Sequence, residues 1–209
     1  MKQGKATFFV GSAGHEAALV AAALYMDPKK DWSFPYYRDQ AYLLKLGVSI
    51  EQMFLDFLSK KDATSSAGRQ MPHHYGHKEL NVVTQSSSVG TQMLQAVGVA
   101  KAMRLEKKDA VVYVSLGEGT TSQGDFHEAL NWASREKLPL IVHLENNHFA
   151  ISVRPEEQTT DGNFANLVKG YPNIKLFDVD GTDFFASADA FNMAVKRARE
   201  GSGSSLVLT

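Results

Sequence analysis

The chain has 209 residues, 44% of them hydrophobic, which is enough for one domain with a sizeable core. Its 22 basic and 23 acidic residues leave a formal charge of -1, and its adjacent lysines are confined to the pairs at 29–30, 60–61 and 107–108, so no nucleic-acid or membrane-surface partner is expected. Cysteine is absent, excluding disulfides and zinc–thiolate sites; no run nears the roughly eighteen apolar residues of a membrane span and no signal-peptide core is visible, so a soluble intracellular chain is expected.

Residues 1–13 read as an extended segment and a glycine turn. Residues 14–25 form an alanine-rich helix, stopped by Asp27-Pro28, whose small side chains imply close packing. His15 and Glu16 stand at its start, where a carboxylate complements the helix dipole. Tyr36, Tyr37 and Arg38 follow a proline and precede an apolar helical run; by residue type alone this arginine is a surface or stacked residue. Residues 49–58 make an amphipathic helix with Ser49 as N-cap and Gln52 in capping-box position. Residues 59–87 are irregular. His73, His74 and His77 cluster there, but Pro72 and Gly76 mark a turn, so metal binding is not expected. A loop this long inside a compact domain is usually functional. Residues 86–106 read as a serine-rich turn entering a long helix with Ala96, Gly98 and Ala100 on a small-residue side.

The most informative stretch is 110–151. An apolar, β-branched run at 110–116 has the length of a buried strand and is broken by Gly117, Glu118 and Gly119. Phe126, Ala129, Leu130 and Ala133 recur at helical spacing over 125–137, and a second apolar run at 138–144 stops at Glu145, Asn146 and Asn147. After a polar stretch beyond Arg154-Pro155 come a strand at 174–179, a structural turn with Asp180, Gly181 and Asp183, a helix at 184–199 and a last strand at 205–209. The fold class is therefore α/β, a parallel sheet flanked by helices, in a single domain spanning 1–209.

Strand, helix and strand at 110–144 read as one βαβ unit, so both strands end on the same sheet edge, where open α/β sheets bind ligands. Glu118 and Asn147 each follow a strand end. A carboxylate and a carboxamide are hard oxygen donors of the kind magnesium takes when it holds a diphosphate. Glycines beside Glu118 allow close approach of a phosphate, or a positive φ, and the helix starting near Gly124 points its free N–H groups at the same edge.

A Gly-acid-Gly turn after one strand and Asn-Asn after the next resembles the thiamine-diphosphate-binding motif. More closely, the chain resembles the α-subunit of the 2-oxo acid dehydrogenase decarboxylating component. The segments Gly14-His15-Glu16-Ala17, Tyr37-Arg38, Gly68-Arg69-Gln70-Met71-Pro72-His73-His74-Tyr75-Gly76 and Val179-Asp180-Gly181-Thr182-Asp183 extend that resemblance along most of the chain, and the third is most similar to branched-chain members. It implies the thiamine-diphosphate-binding fold. It also implies that Tyr37 and Arg38 reach the cofactor diphosphate, that Gly117, Gly119 and Thr120 touch it, and that the backbone around Ser87 and Val89 cradles the aminopyrimidine. Magnesium would be bound by the side chains of Glu118 and Asn147 and the carbonyl of Phe149. In branched-chain members a structural potassium ion is held by positions matching Ser86, Ser88, Thr91 and Gln92; Ser88 stands where their pattern has proline, and an ordinary helix N-cap is the other reading of this turn. Glu118 favours branched-chain over pyruvate-specific relatives, whereas Glu145 replaces a diphosphate-binding arginine of the branched-chain pattern and matches the pyruvate type.

The resemblance further implies a 2-oxo acid dehydrogenase, an oxidoreductase with a lipoyl acceptor, acting on a branched-chain 2-oxo acid. It would work in a multienzyme complex and a heterotetramer, in the cytoplasm of a bacterium or the mitochondrial matrix of a eukaryote. The histidine loop that follows the last strand in the family, the helix before residue 1 and the pyrimidine-binding module are not expected within this sequence. The chain is thus read as the diphosphate-binding half, without a catalytic residue of its own. It should be inert without a β-type pyrimidine-binding subunit or fused domain, and it would pass its product to a lipoyl-bearing acyltransferase. A pyruvate or acetoin dehydrogenase α-subunit is the nearest alternative. A nicotinamide-dependent oxidoreductase is imitated by Gly117, Gly119 and Glu145, but Ser122 stands where the dinucleotide fingerprint needs its third glycine. A non-catalytic assembly domain of the same fold is the remaining alternative.

Overall fold

The computed structural model describes residues 4–6 and 8–209; residues 1–3 and 7 of the expected extended start lie outside that description. In chain order the regular elements are α1 (Glu16–Ala23), β1 (Trp32–Phe34), α2 (Gln40–Leu46), α3 (Ile50–Phe57), α4 (Thr91–Leu105), β2 (Val112–Gly117), α5 (Gly124–Glu136), β3 (Leu140–Glu145), α6 (Pro155–Gln158), β4 (Lys175–Asp178), α7 (Phe184–Arg199) and β5 (Ser205–Leu208). The five strands form one sheet in the order β1-β2-β3-β5-β4, and every pair is parallel.

Every residue of β2, β3 and β5 is buried. These strands read as mainly apolar runs, with Ser115, His143, Glu145 and Ser205 as buried polar exceptions, because helices cover both of their faces. Successive strand residues point to opposite faces. Tyr113, Ile141 and Val207 join α1, α2 and α7 through Leu19, Tyr42 and Phe191, with the Tyr42 and Tyr113 rings stacked 4.3 Å apart. Val112, Val114, Val142 and Leu206 face α4 and α5 through Met93, Ala96, Phe126 and Leu130. Ala18, Ala21 and Ala22 of α1 and Ala96 and Ala100 of α4 are buried, as their size suggested, but Gly98 is exposed and meets nothing within 4 Å, so the expected small-residue side of α4 is not packed as a whole.

Local chemistry sets the ends. Ser49 accepts a hydrogen bond from the Gln52 N–H at 3.1 Å, but the Gln52 side-chain oxygen is buried without a partner, so only half of the capping box forms. Asp183 caps α7 through the N–H groups of Phe185 and Ala186. The chain leaves α2 at Gly47 with φ 125°, a conformation only glycine adopts freely. Two features depart from the sequence expectations. Trp32–Phe34 is an edge strand, set by pairing with β2 rather than by any pattern of its own. The polar stretch after Arg154 holds α6 and a 3-10 segment, Phe164–Gly170. No helix among the described residues is long and apolar enough to cross a membrane.

Candidate functional site

The register of β2 and β3 pairs Gly117 with Glu145, so both strands stop level with one another and their loops leave the sheet side by side. A cavity of about 290 Å³ opens at this edge. Tyr36, Tyr37 and Arg38 form one wall and Val89 another; Gly117, Glu118, Gly119 and Thr120 form the floor. The loop after β3 contributes Asn147, Phe149, Ala150 and Ile151. Segments far apart in sequence are thus brought together where the parallel topology directs a ligand.

Glu118 is 2% exposed, and its Oε1 has no hydrogen-bond partner. A buried carboxylate oxygen left open is costly unless a cation or donor arrives. Asn147 is exposed and its Oδ1 accepts from the Phe149 N–H at 3.0 Å, a turn that holds the residue at the cavity mouth. The two glycines serve by their smallness. A Cβ on Gly117 would stand 2.7 Å from the Tyr36 hydroxyl, and one on Gly119 would stand 2.7 Å from the Ala150 Cβ. Gly117 has φ −79°, so the positive φ considered for it is not used. The N-terminus of α5, starting at Gly124, follows this floor directly.

Arg38 donates from Nη1 to the Gly11 carbonyl at 2.7 Å, lies 5.4 Å from the Tyr37 ring centre, and keeps a buried Nε–H with no acceptor. The Tyr36 and Tyr37 rings pack 3.9 Å apart. The Tyr36 N–H donates to Ser115 Oγ at 2.9 Å, and the Ser115 hydroxyl donates to Asp39, which ties this arch to β2 from beneath. Asp39 and Glu145 are a buried carboxyl pair: burial raises Asp39 to about 6, and burial with the neighbouring Asp39 pushes Glu145 well above the carboxylate range. Burial and the closeness of the two carboxyls thus favour the protonated form of the pair. Glu145 does not line the cavity.

The remaining predicted residues stand apart. Ser87 is exposed, absent from the cavity lining, and its hydroxyl pairs with His74 Nε2 at 2.7 Å. Of the residues matching the potassium pattern, Ser88 is exposed, while Gln92 is buried with Oε1 unpartnered and Nε2 3.5 Å from the Ser115 carbonyl. Among the described residues no group of three or more His, Cys, Asp or Glu could hold a metal by itself. Sequence reasoning missed Tyr36 as a wall, Ala150 and Ile151, and the Asp39 support; the proline before Tyr36 was the only local signal.

The donor set fits a magnesium-bound diphosphate. It offers one open carboxylate oxygen, a carboxamide, an arginine N–H without an acceptor, glycine floor positions and a helix N-terminus.

A family model described as the dehydrogenase E1 component matches residues 1–209. The 2-oxoisovalerate dehydrogenase subunit alpha of Bacillus subtilis is 41% identical over 208 residues, which cover 100% of this chain and 63% of that protein. The mitochondrial 2-oxoisovalerate dehydrogenase subunit alpha 1 of Arabidopsis thaliana is 39% identical over 201 residues, 95% of this chain and 41% of its own. The human mitochondrial subunit alpha is 36% identical over 197 residues, 94% of this chain and 44% of its own. The chain thus spans less than two thirds of the length of these relatives. Full coverage by the family model, over a parallel α/β sheet with this edge, shows that the chain belongs to the dehydrogenase E1 component family and sides within it with the α-subunits.

Proposed function

We propose that this chain is the diphosphate- and magnesium-binding half of a thiamine-diphosphate-dependent 2-oxo acid dehydrogenase, which decarboxylates a branched-chain 2-oxo acid and transfers the acyl group to lipoamide. The observation that carries this reading is the meeting of residues 36–38, 89, 117–120, 147 and 149–151 around one cavity, beside the unpartnered Glu118 oxygen and Arg38 N–H. Thiamine diphosphate, when bound, supplies the carbon nucleophile and electron sink that loss of carbon dioxide from a 2-oxo acid requires.

The chain's own residues bind and orient. Glu118, Asn147 and the Phe149 carbonyl hold the magnesium ion. Arg38 gives its free N–H groups to phosphate oxygens in a fixed fork, and the Tyr37 hydroxyl adds a donor. Backbone at Gly117, Gly119 and Thr120 approaches the phosphates, helped by the dipole of α5. Ser87 and Val89 support the aminopyrimidine through backbone rather than through the Ser87 hydroxyl, which is engaged by His74. Gln92 Oε1, with Ser86, Ser88 and Thr91, is the candidate potassium ligand set.

The branched-chain assignment is supported by the 2-oxoisovalerate names of the relatives. Glu145 does not oppose it, because its carboxyl is turned away from the cavity into the pair with Asp39. The partners are a β-type pyrimidine-binding subunit or domain and a lipoyl-bearing acyltransferase, in a bacterial cytoplasm or a mitochondrial matrix. Titration calorimetry of thiamine diphosphate and magnesium into the chain mixed with a β-type partner tests the reading. Binding heat that disappears with Glu118→Ala supports it; no heat with the unaltered chain overturns it.

A further inference from the structure

Gln40 opens α2 two residues after Arg38 and does not touch the cavity. Its side-chain nitrogen lies 3.1 Å from the Val10 carbonyl, 2.9 Å from the Tyr37 carbonyl and 2.8 Å from His73 Nδ1. One amide therefore joins the N-terminal segment, the Tyr36–Arg38 arch and the 72–75 loop. Two carbonyl acceptors leave no freedom in its orientation, since only the nitrogen can donate to them.

The same contacts assign the histidine. The Tyr75 hydroxyl also lies 2.7 Å from His73 Nδ1. The Gln40 amino group can only donate and has two hydrogens for three acceptors, so one N–H is shared with Nδ1; that nitrogen must then be bare, with the ring proton on Nε2, which is buried without a partner. Phe9, Phe57 and Tyr75 pack edge-on around the ring, and burial keeps it neutral by lowering its pKa to about 4. The His73 backbone is left-handed, φ 66°, so the loop is bent into this contact at a conformational cost.

Both anchors of Gln40 bear on Arg38. The Tyr37 carbonyl immediately precedes it, and the Val10 carbonyl immediately precedes Gly11, whose own carbonyl holds the guanidinium. We propose that Gln40, held by His73, is a positioning residue that aims the Tyr37–Arg38 pair at the bound diphosphate. The proposal rests on the cavity being the diphosphate site. The 72–75 loop then sets phosphate affinity from behind the arch without touching the ligand.

The test uses the full chain with its β-type partner and three variants. Gln40→Met keeps the length of the side chain and removes its donors. His73→Leu removes the ring acceptor, whereas His73→Asn places an amide oxygen near the Nδ1 position in a residue that tolerates the left-handed backbone. Gln40→Met and His73→Leu should each weaken thiamine diphosphate binding about tenfold by calorimetry, the order of one lost hydrogen bond, with His73→Asn recovering most of it. Hydrogen exchange gives a readout without ligand: Gln40→Met should speed exchange of amides in segments 11–13 and 36–40 and leave β2 and β3 unchanged. Unaltered exchange in those segments, unaltered affinity in Gln40→Met, or a His73→Asn variant no better than His73→Leu would overturn the proposal. If the unaltered chain binds no thiamine diphosphate, the function proposed above falls, and the exchange result alone decides the role of Gln40.

Discussion

Asp31 and Glu118 are both buried carboxylates, and they stand at opposite ends of the same sheet. Asp31, 1% exposed, accepts from Arg199 at 2.5 Å and from the N–H groups of Asp27 and Val111 at 2.8 Å. Glu118 leaves Oε1 open, and the nearby Asp39 and Glu145 also hold oxygens without partners. The amino-terminal edge of the sheet pairs its buried carboxylate, while the carboxyl-terminal edge leaves buried carboxyl oxygens without partners. Buried polar groups are normally paired, so the difference separates an edge built to hold the fold from one built to receive a ligand.

The largest effect expected from this contrast is on stability. Asp31→Ala leaves Arg199 Nη2 and the Val111 N–H just before β2 without their acceptor, with Arg199 keeping only Asp109, and urea denaturation should register a loss of about 3 kcal/mol. Glu118→Ala should do the reverse: cofactor affinity falls at least about a hundredfold, while folding stability stays level or rises by roughly 1 kcal/mol, because an unpartnered buried polar oxygen is removed. A clear loss of stability in Glu118→Ala would mean that the two edges are not different in kind. Gly119→Ala comes next. Its new Cβ meets Ala150, so affinity should drop about tenfold with a stability cost of about 1 kcal/mol, read in the same two assays.

The smallest effect is a slope. His143 lies in the middle strand with both ring nitrogens engaged, by Tyr113 at 2.8 Å and Thr209 at 2.9 Å, and burial lowers its pKa from 6.5 to about 3. The unfolded chain takes up a proton there first as pH falls, so the stability His143 permits is present above about 6.5 and is lost toward about 3. Asp39, raised to about 6, has the opposite sign: its contribution is present in acid and is lost as pH rises from 3.8 to about 6. His143→Asn should therefore lower the slope of unfolding free energy against pH, between roughly pH 4 and 6, by about 1.4 kcal/mol per pH unit. An unchanged slope would show that the ring is charged in the folded chain.

Much of this was legible in the sequence, and the boundary is physical. The β2–α5–β3 unit depends on local apolar runs and helical spacing, and parallel pairing then forces Glu118 and Asn147 to one edge. β1 was not legible because three residues are too short to show a pattern. The Tyr37-Arg38 pair was visible as a motif, but its supports at Gly11, Ser115 and His73 come from remote segments that only packing unites. The need for glycine at 117 and 119 was legible; that crowding by Tyr36 and Ala150 sets it, rather than a positive φ, was not. Ser87 lies in the expected turn, yet no rule of spacing predicts that its hydroxyl turns to His74.

The close packing of the Tyr36 and Tyr37 rings at the cavity wall has an optical consequence. Coupled aromatic chromophores 3.9 Å apart give dichroism in the near ultraviolet that depends on their mutual tilt, here 39°. Both tryptophans lie elsewhere, Trp32 on the edge strand and Trp132 on α5 beneath Arg135, so their emission reports the folded scaffold and not the cavity. The protein thus carries two natural signals: tryptophan emission for folding, and, over the constant contribution of the stacked Tyr42 and Tyr113 rings, a change in tyrosine-band dichroism when something enters the cavity.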